Sequence, residues 1–241
     1  NREFMVQVFG LNEKGETASI FIEGFTPFFY VKVDESWTES KKTCFINELK
    51  NRIGTFYEDS IVKGKLIQRK TLYGFDAGKM HHFVQIIFKN TMALNRARKL
   101  WYDETYGDGK QYSKSLKPDG YIYEGTSTYL YESNFPPLLR LFHIMEISPS
   151  GWIALPERHF LRHDKKRRTT TCTHEYTIEY RYIISLNTKN NPVPYKQCSF
   201  DIEASSSHGD FPVPIKNYKK LAIDMVNKIV KTGDHSIDAI N

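Results

Sequence analysis

Residues 199–212 read SFDIEASSSHGDFP, and two acids there, Asp201 and Glu203, stand one residue apart. If this stretch is a strand, alternation points both carboxylates to one face, with Cα atoms roughly 6.5–7 Å apart. Phe200 and Ile202 then point to the opposite face and can enter a core. Hard carboxylate oxygens at that separation suit a pair of Mg²⁺ or Mn²⁺ ions about 3.5–4 Å apart, the arrangement that cuts phosphodiesters. An Asp-x-Glu pair is also common on ordinary exposed strands, so its surroundings must decide. Ser205, Ser206 and Ser207 have no base at a recognisable spacing and read as a turn leaving the strand.

A second cluster is the run Lys165-Lys166-Arg167-Arg168. Four cations in a row can grip nucleic-acid phosphates, with an affinity that falls as salt rises. They can equally be a solvated hairpin tip or an import signal. Lys41-Lys42 and Lys219-Lys220 are explained by solvated helix faces. Cys172 and His174 could share a metal, but no second Cys/His pair stands at finger spacing.

The elements that position these groups alternate between periods of two and of three to four. Phe4, Val6 and Val8, then 18–22, then 27–33 read as a three-stranded β-meander. Phe45, Ile46, Leu49 and Ile53 mark a helix over 39–53. Strands follow at 61–70 and 82–88, where adjacent His81 and His82 point opposite ways, one to the core and one to solvent. A helix follows over 91–102. The stretch 106–120 reads as a loop. Pro136 to Ile144 is helical, 177–186 and 198–202 are strands, and a helix carries Tyr218, Leu221, Met225, Val226 and Ile229. The order implies an α+β fold, a mixed domain of antiparallel sheets with covering helices. That layout is reminiscent of an RNA-recognition-type unit, without identifiable aromatic binding strands. Most aromatics are expected in cores, because they alternate with other apolar residues.

The chain has 241 residues, a formal charge of +6 and a pI near 9.0, which suits a partner made of phosphates. Three widely spaced cysteines argue for a reducing compartment and against a disulfide framework. No stretch approaches the roughly 18 apolar residues of a membrane span. The first residue is Asn rather than Met, so the start reads as trimmed, and no secretory signal pattern is present.

Residues 199–205, followed by Gly209-Asp210-Phe211-Pro212, resemble the first exonuclease motif of family B DNA polymerases, most of all the delta-type enzymes and those of large cytoplasmic DNA viruses. Upstream, 24–33, Leu72-Tyr73-Gly74-Phe75, Leu130-Tyr131-Glu132-Ser133-Asn134 and Gly151-Trp152-Ile153 resemble that family's N-terminal domain, in the family's order. The resemblance implies an N-terminal domain over 1–195, with sub-blocks of about 1–105 and 120–195. It also implies the opening of an RNase H-like 3′–5′ exonuclease domain over 196–241. It makes Asp201 and Glu203 metal ligands, with Glu203 also orienting the attacking water, and Phe200 and Ile202 core residues. Ala204 replaces a Cys common in cellular relatives. The Lys-rich helix after Pro212 departs from the family pattern and would pack on the nuclease or meet a partner.

No Asn-x-x-x-Phe-Asp or Tyr-x-x-x-Asp motif follows, nor any polymerase metal motif. The expectation is therefore the N-terminal and partial proofreading region of a viral DNA-directed DNA polymerase, inactive by itself. Its implied partners are DNA template-primer, deoxynucleotides and a processivity factor, with no membrane. The piece is expected to be monomeric and to work in a cytoplasmic replication factory, or alternatively in the host nucleus. Two rival readings are a stand-alone nucleic-acid-binding module with inert acids, and a self-contained nuclease drawing ligands from Asp210 or Asp224.

Overall fold

The structure is a computed structural model that describes residues 3–71, 76–106, 112–193, 198–201 and 219–232. The chain divides into two units, Asn1–Val193 and Pro194–Asn241. In chain order the first unit holds β1 (Val6–Leu11), β2 (Thr17–Glu23), β3 (Phe28–Val33), α1 (Glu39–Ile53), β4 (Ile61–Lys70), β5 (Met80–Phe88) and α2 (Thr91–Arg98). It continues with β6 (Tyr102–Tyr106), β7 (Tyr112–Leu116), β8 (Tyr121–Tyr123), β9 (Thr126–Tyr131), α3 (Pro137–Ile144), β10 (Ile153–Ala154), β11 (Phe160–Arg162), β12 (His174–Glu179) and β13 (Ile184–Ser185). In the second unit the described element is α4 (Lys219–Thr232).

Five strands form one antiparallel sheet in the order β4-β5-β3-β9-β8. Alternation along β3 sends Phe29, Val31 and Val33 inward, and Val31 sits opposite Val84 of β5. Against this face pack Phe45, Leu49 and Ile53 of α1 and Ala93 and Ala97 of α2, with Trp101 just beyond. Both helices start on capping side chains: Thr38 accepts from the Lys41 amide, and Asn90 Oδ1 accepts from the Ala93 amide at 2.9 Å. The Trp101 indole N–H donates to the Thr128 carbonyl at 3.0 Å, tying the core to β9. The chain comes close to the Thr128 carbonyl at Gly120, whose φ is 67°, and a Cβ there would stand 2.0 Å from the Thr128 carbonyl oxygen.

A second sheet runs β1-β2-β12-β11, and its β12–β2 pair is parallel. Val6, Ile22 and Ile178 from these strands meet Phe25, Leu141 of α3, Ile147 and Ile183 in a separate hydrophobic cluster. Two short ribbons, β6–β7 and β10–β13, complete the unit.

The α+β class agrees with the sequence, while the strand partnering differs from it. The expected meander stops at β2: Pro27 turns the chain away, and β3 joins β5 and β9 in the other sheet. Strands of 1–105 and 120–195 share sheets: β1 and β2 lie in one sheet with β12 and β11, joined through the β2–β12 pair, and β3 pairs with β9 in the other. Local alternation marks a strand without naming its partner, and hence the error. The stretch expected as a loop over 106–120 contains β7. The expected strand 177–186 begins earlier, at His174, and breaks into a 3-10 turn at Tyr180–Tyr182 before β13. The helix expected over 91–102 tightens to a 3-10 turn at Lys99–Trp101. His81 and His82 do alternate, but both are half-buried: Nε2 of His81 meets Asp76 at 2.6 Å, and Nε2 of His82 meets Gln68 at 2.6 Å.

Candidate nucleic-acid interface and metal edge

The run 165–168 lies in the connection between β11 and β12. In β12, Tyr176 and Ile178 share the face turned toward the hydrophobic cluster, so Glu175 and Thr177 point to the outer face. An outward glutamate should be wet, yet Glu175 is 1% exposed, and its register neighbour Ser19 in β2 is 0% exposed. The connection itself supplies the cover. It leaves β11 through the His163 amide, which donates to the Glu175 carbonyl at 2.9 Å. A 3-10 turn at Lys165–Arg167 follows, and then the chain folds back over Glu175.

The backbone amide of Thr169 donates to both Glu175 carboxylate oxygens at 3.1 Å, and the Thr170 amide donates to Oε2 at 3.0 Å. The Thr170 hydroxyl adds a bond of 2.9 Å to the same oxygen. Burial by itself would raise the Glu175 carboxyl, but these Thr169 and Thr170 donors outweigh it and hold the pKa below the ordinary 4.5. At the far end, the Thr173 amide donates to the Thr17 hydroxyl at 2.9 Å, which pins the loop to β2.

This anchoring sorts the four cations. Lys165, Lys166 and Arg167 are exposed, whereas Arg168 is half-buried and its Nη1 donates inward to the Cys172 carbonyl at 3.3 Å. Sequence reasoning found the run but missed Glu175. The available signal was the neighbourhood: Thr169-Thr170-Thr171, three hydroxyl side chains just ahead of an acid that begins the outer face of the strand. His174, weighed with Cys172 as a metal pair, instead sets Nε2 2.9 Å from Glu16.

The outer face of the five-stranded sheet carries aromatics, but they are largely occupied with one another. The Tyr131 ring meets Phe83 with centroids 5.2 Å apart, and Tyr30 meets Phe83 at 6.3 Å. Arg140 of α3, 7% exposed, lays its guanidinium 4.4 Å over the Phe28 ring while Nη1 donates to Glu132 at 2.7 Å. This packing agrees with the expectation that most aromatics are structural.

In the second unit, 198–201 have no regular structure and Asp201 is exposed, while Glu203 lies outside the described residues. Phe200, expected in the core, is 83% exposed. A strand side chain is buried only when a ladder partner and a facing layer exist, and 198–201 belong to none of the described sheets. The RNase H-like sheet expected here, and the burial of Ile202, likewise fall outside the described residues. Asp201 supplies a hard oxygen donor suited to Mg²⁺ or Mn²⁺. Among the described residues, however, no three His, Cys, Asp or Glu side chains assemble as a metal centre. Of the rival ligands, Asp224 is exposed on α4 and Asp210 lies outside the described residues. No described helix is long and apolar enough to cross a membrane.

Residues 128–236 match the model of the DNA polymerase family B exonuclease domain, a span that starts within β9 and includes the basic turn and the acid pair. The chain belongs to the family B DNA polymerases and carries part of their exonuclease region. Its likeness is strongest to viral members. It is 50% identical over 226 residues to the DNA polymerase of Phaeocystis pouchetii virus, covering 94% of this chain and 21% of that protein. It is 27% identical over 238 residues to the DNA polymerase of Pyramimonas orientalis virus, covering 97% of this chain and 18% of that one. More distant is the DNA polymerase delta catalytic subunit of Schizosaccharomyces pombe, 28% identical over 213 residues, with 87% and 18% covered. The chain thus spans about a fifth of the length of these relatives. Among solved structures, the family B DNA polymerase of Pyrobaculum calidifontis aligns with a TM-score of 0.44 and 14% identity, covering 73% of this chain and 18% of that one.

Proposed function

We propose that this chain is the N-terminal and partial proofreading region of a DNA-directed DNA polymerase that replicates viral DNA. The observation that carries the reading is the 50% identity to a viral DNA polymerase along 94% of the chain. In this reading 1–195 form the N-terminal domain and 196–241 open the 3′–5′ exonuclease domain. Asp201 and Glu203 would hold the metals of the excision site, and Glu203 would also orient the attacking water. Bound Mg²⁺ or Mn²⁺ would activate that water and stabilise the leaving oxygen. Lys165, Lys166, Arg167 and Arg168 would contact the template strand's phosphates. The remaining acids would come from sequence outside this chain, so the 241-residue piece alone would neither polymerise nor excise. The intact enzyme would take template-primer DNA and deoxynucleotides, work with a processivity factor, and act in a cytoplasmic replication factory without a membrane. The piece itself would be a monomer.

The test is made in the full-length polymerase. Asp201→Ala with Glu203→Ala should abolish removal of a mismatched 3′ nucleotide, by a factor of a hundred or more on the order expected for losing metal ligands, and leave extension of a matched primer intact. Retained excision, or loss of synthesis along with it, would overturn the assignment of these acids.

A further inference from the structure

The basic turn is not a free hairpin tip. Its eleven residues between β11 and β12 lie folded over the outer face of the four-stranded sheet, held by a carboxylate that the sheet pushes outward and the loop then buries. A charge in that position is costly unless its hydrogen bonds are supplied, and here the loop's own amides supply them. The two features therefore depend on each other: without Glu175 the Thr169 and Thr170 amides lose their acceptor, and without the loop Glu175 would be hydrated. The fold-back also decides which cations face solvent, since Arg168 is drawn toward the Cys172 carbonyl while Lys165, Lys166 and Arg167 stay outside.

We propose that Glu175 is a positioning residue for nucleic-acid binding. Its buried carboxylate fixes the turn so that Lys165, Lys166 and Arg167 form a preformed contact for backbone phosphates, while Arg168 serves the interior of the loop. This rests on the reading of the turn as a nucleic-acid contact and goes beyond it in two ways: it names the residue that shapes the contact, and it removes Arg168 from the set of phosphate ligands. Preorganisation matters because ordering flexible lysine and arginine side chains on a mobile loop would consume part of the binding free energy.

Binding of the 241-residue chain to a fluorescent 20-nucleotide oligothymidylate is measured by anisotropy over a range of NaCl. Amide hydrogen exchange is followed on the same proteins. Replacing Lys165, Lys166 and Arg167 together by Ala should reduce the salt slope, −d log K/d log[NaCl], by about 2, at roughly 0.7 per phosphate contact on a single strand. Glu175→Gln should speed exchange of the Thr169 and Thr170 amides at least tenfold, leave the strand amides unchanged, and weaken oligonucleotide binding. Simple electrostatics gives the opposite sign, because Glu175→Gln removes a negative charge and should strengthen binding. Thr170→Val, which deletes one hydroxyl donor and no charge, should act in the same direction as Glu175→Gln but less, and serves if that variant does not fold. Equal or tighter binding by variants whose loop amides have become unprotected sinks the positioning role and leaves the nucleic-acid reading standing. A triple-alanine variant with an unchanged salt slope removes the nucleic-acid reading and this proposal together.

Discussion

Two buried charges in the first unit are stabilised by different chemistry, and each responds to perturbation in its own way. Arg140 is sandwiched between the Phe28 and Phe135 rings and tied to Glu132 by Nη1 at 2.7 Å and to the Glu132 carbonyl by Nη2 at 3.0 Å. Glu132 is about half exposed, so the pair itself is partly screened. Most of what Arg140 contributes is therefore its planar contact with the rings and its bond to the backbone. Arg140→Lys should accordingly be far from neutral, lowering stability to urea by about 2 kcal/mol. Glu132→Gln should cost less than 1 kcal/mol, the range for a partly exposed ion pair. Glu175 depends on pH instead. Its folded pKa is depressed, so its contribution is fully present above the ordinary value of 4.5 and is lost as pH falls through the lower, folded value. The groups around it are the Thr169 and Thr170 donors, with His163 bonded to Thr177 beside it and Arg168 within the loop. Exchange of the Thr169 and Thr170 amides should therefore stay slow from neutral pH down to about 4.5 and quicken only below it, relative to strand amides, a step that Glu175→Gln should lack.

At the scale of elements, legibility in the sequence followed locality. Helix α1 was readable from Phe45, Ile46, Leu49 and Ile53, because a period near 3.6 is complete within one segment. The partnering of β3 was not, since the same alternation serves any sheet it joins. The ribbon β6–β7 was missed because its polar Lys-, Ser- and Gly-rich stretch carries loop composition, and only pairing makes it a strand. The acid pair was readable as chemistry, but Phe200 illustrates the limit: its apolar type predicts a core that no described residue provides. The basic turn was readable as charge and unreadable as shape, since the fold-back depends on Glu175, seven residues beyond Arg168. Two element-level tests follow from the packing. Gly120→Ala meets both a φ of 67° and the Thr128 carbonyl, and should destabilise the unit by more than about 2 kcal/mol in thermal unfolding. Asn90→Ala should cost about 1 kcal/mol through loss of the α2 cap, with the same α+β circular-dichroism spectrum below the transition.

For the whole molecule, the first unit is built around two hydrophobic clusters, one under the five-stranded sheet and one under the four-stranded sheet. The chain spans about a fifth of each relative's length, and of the acid pair only Asp201 falls among the described residues. The parallel pairing of β2 with β12 has a further consequence for the nascent chain. The Thr17–Thr173 bond that closes it spans 156 residues. During synthesis the β1–β2 hairpin must leave the ribosome and wait, with the open edge of β2 unsatisfied, while the whole five-stranded sheet is made and can fold first. That order exposes a sticky strand edge for the longest interval in the unit, making β2 the segment where a chaperone would be needed most.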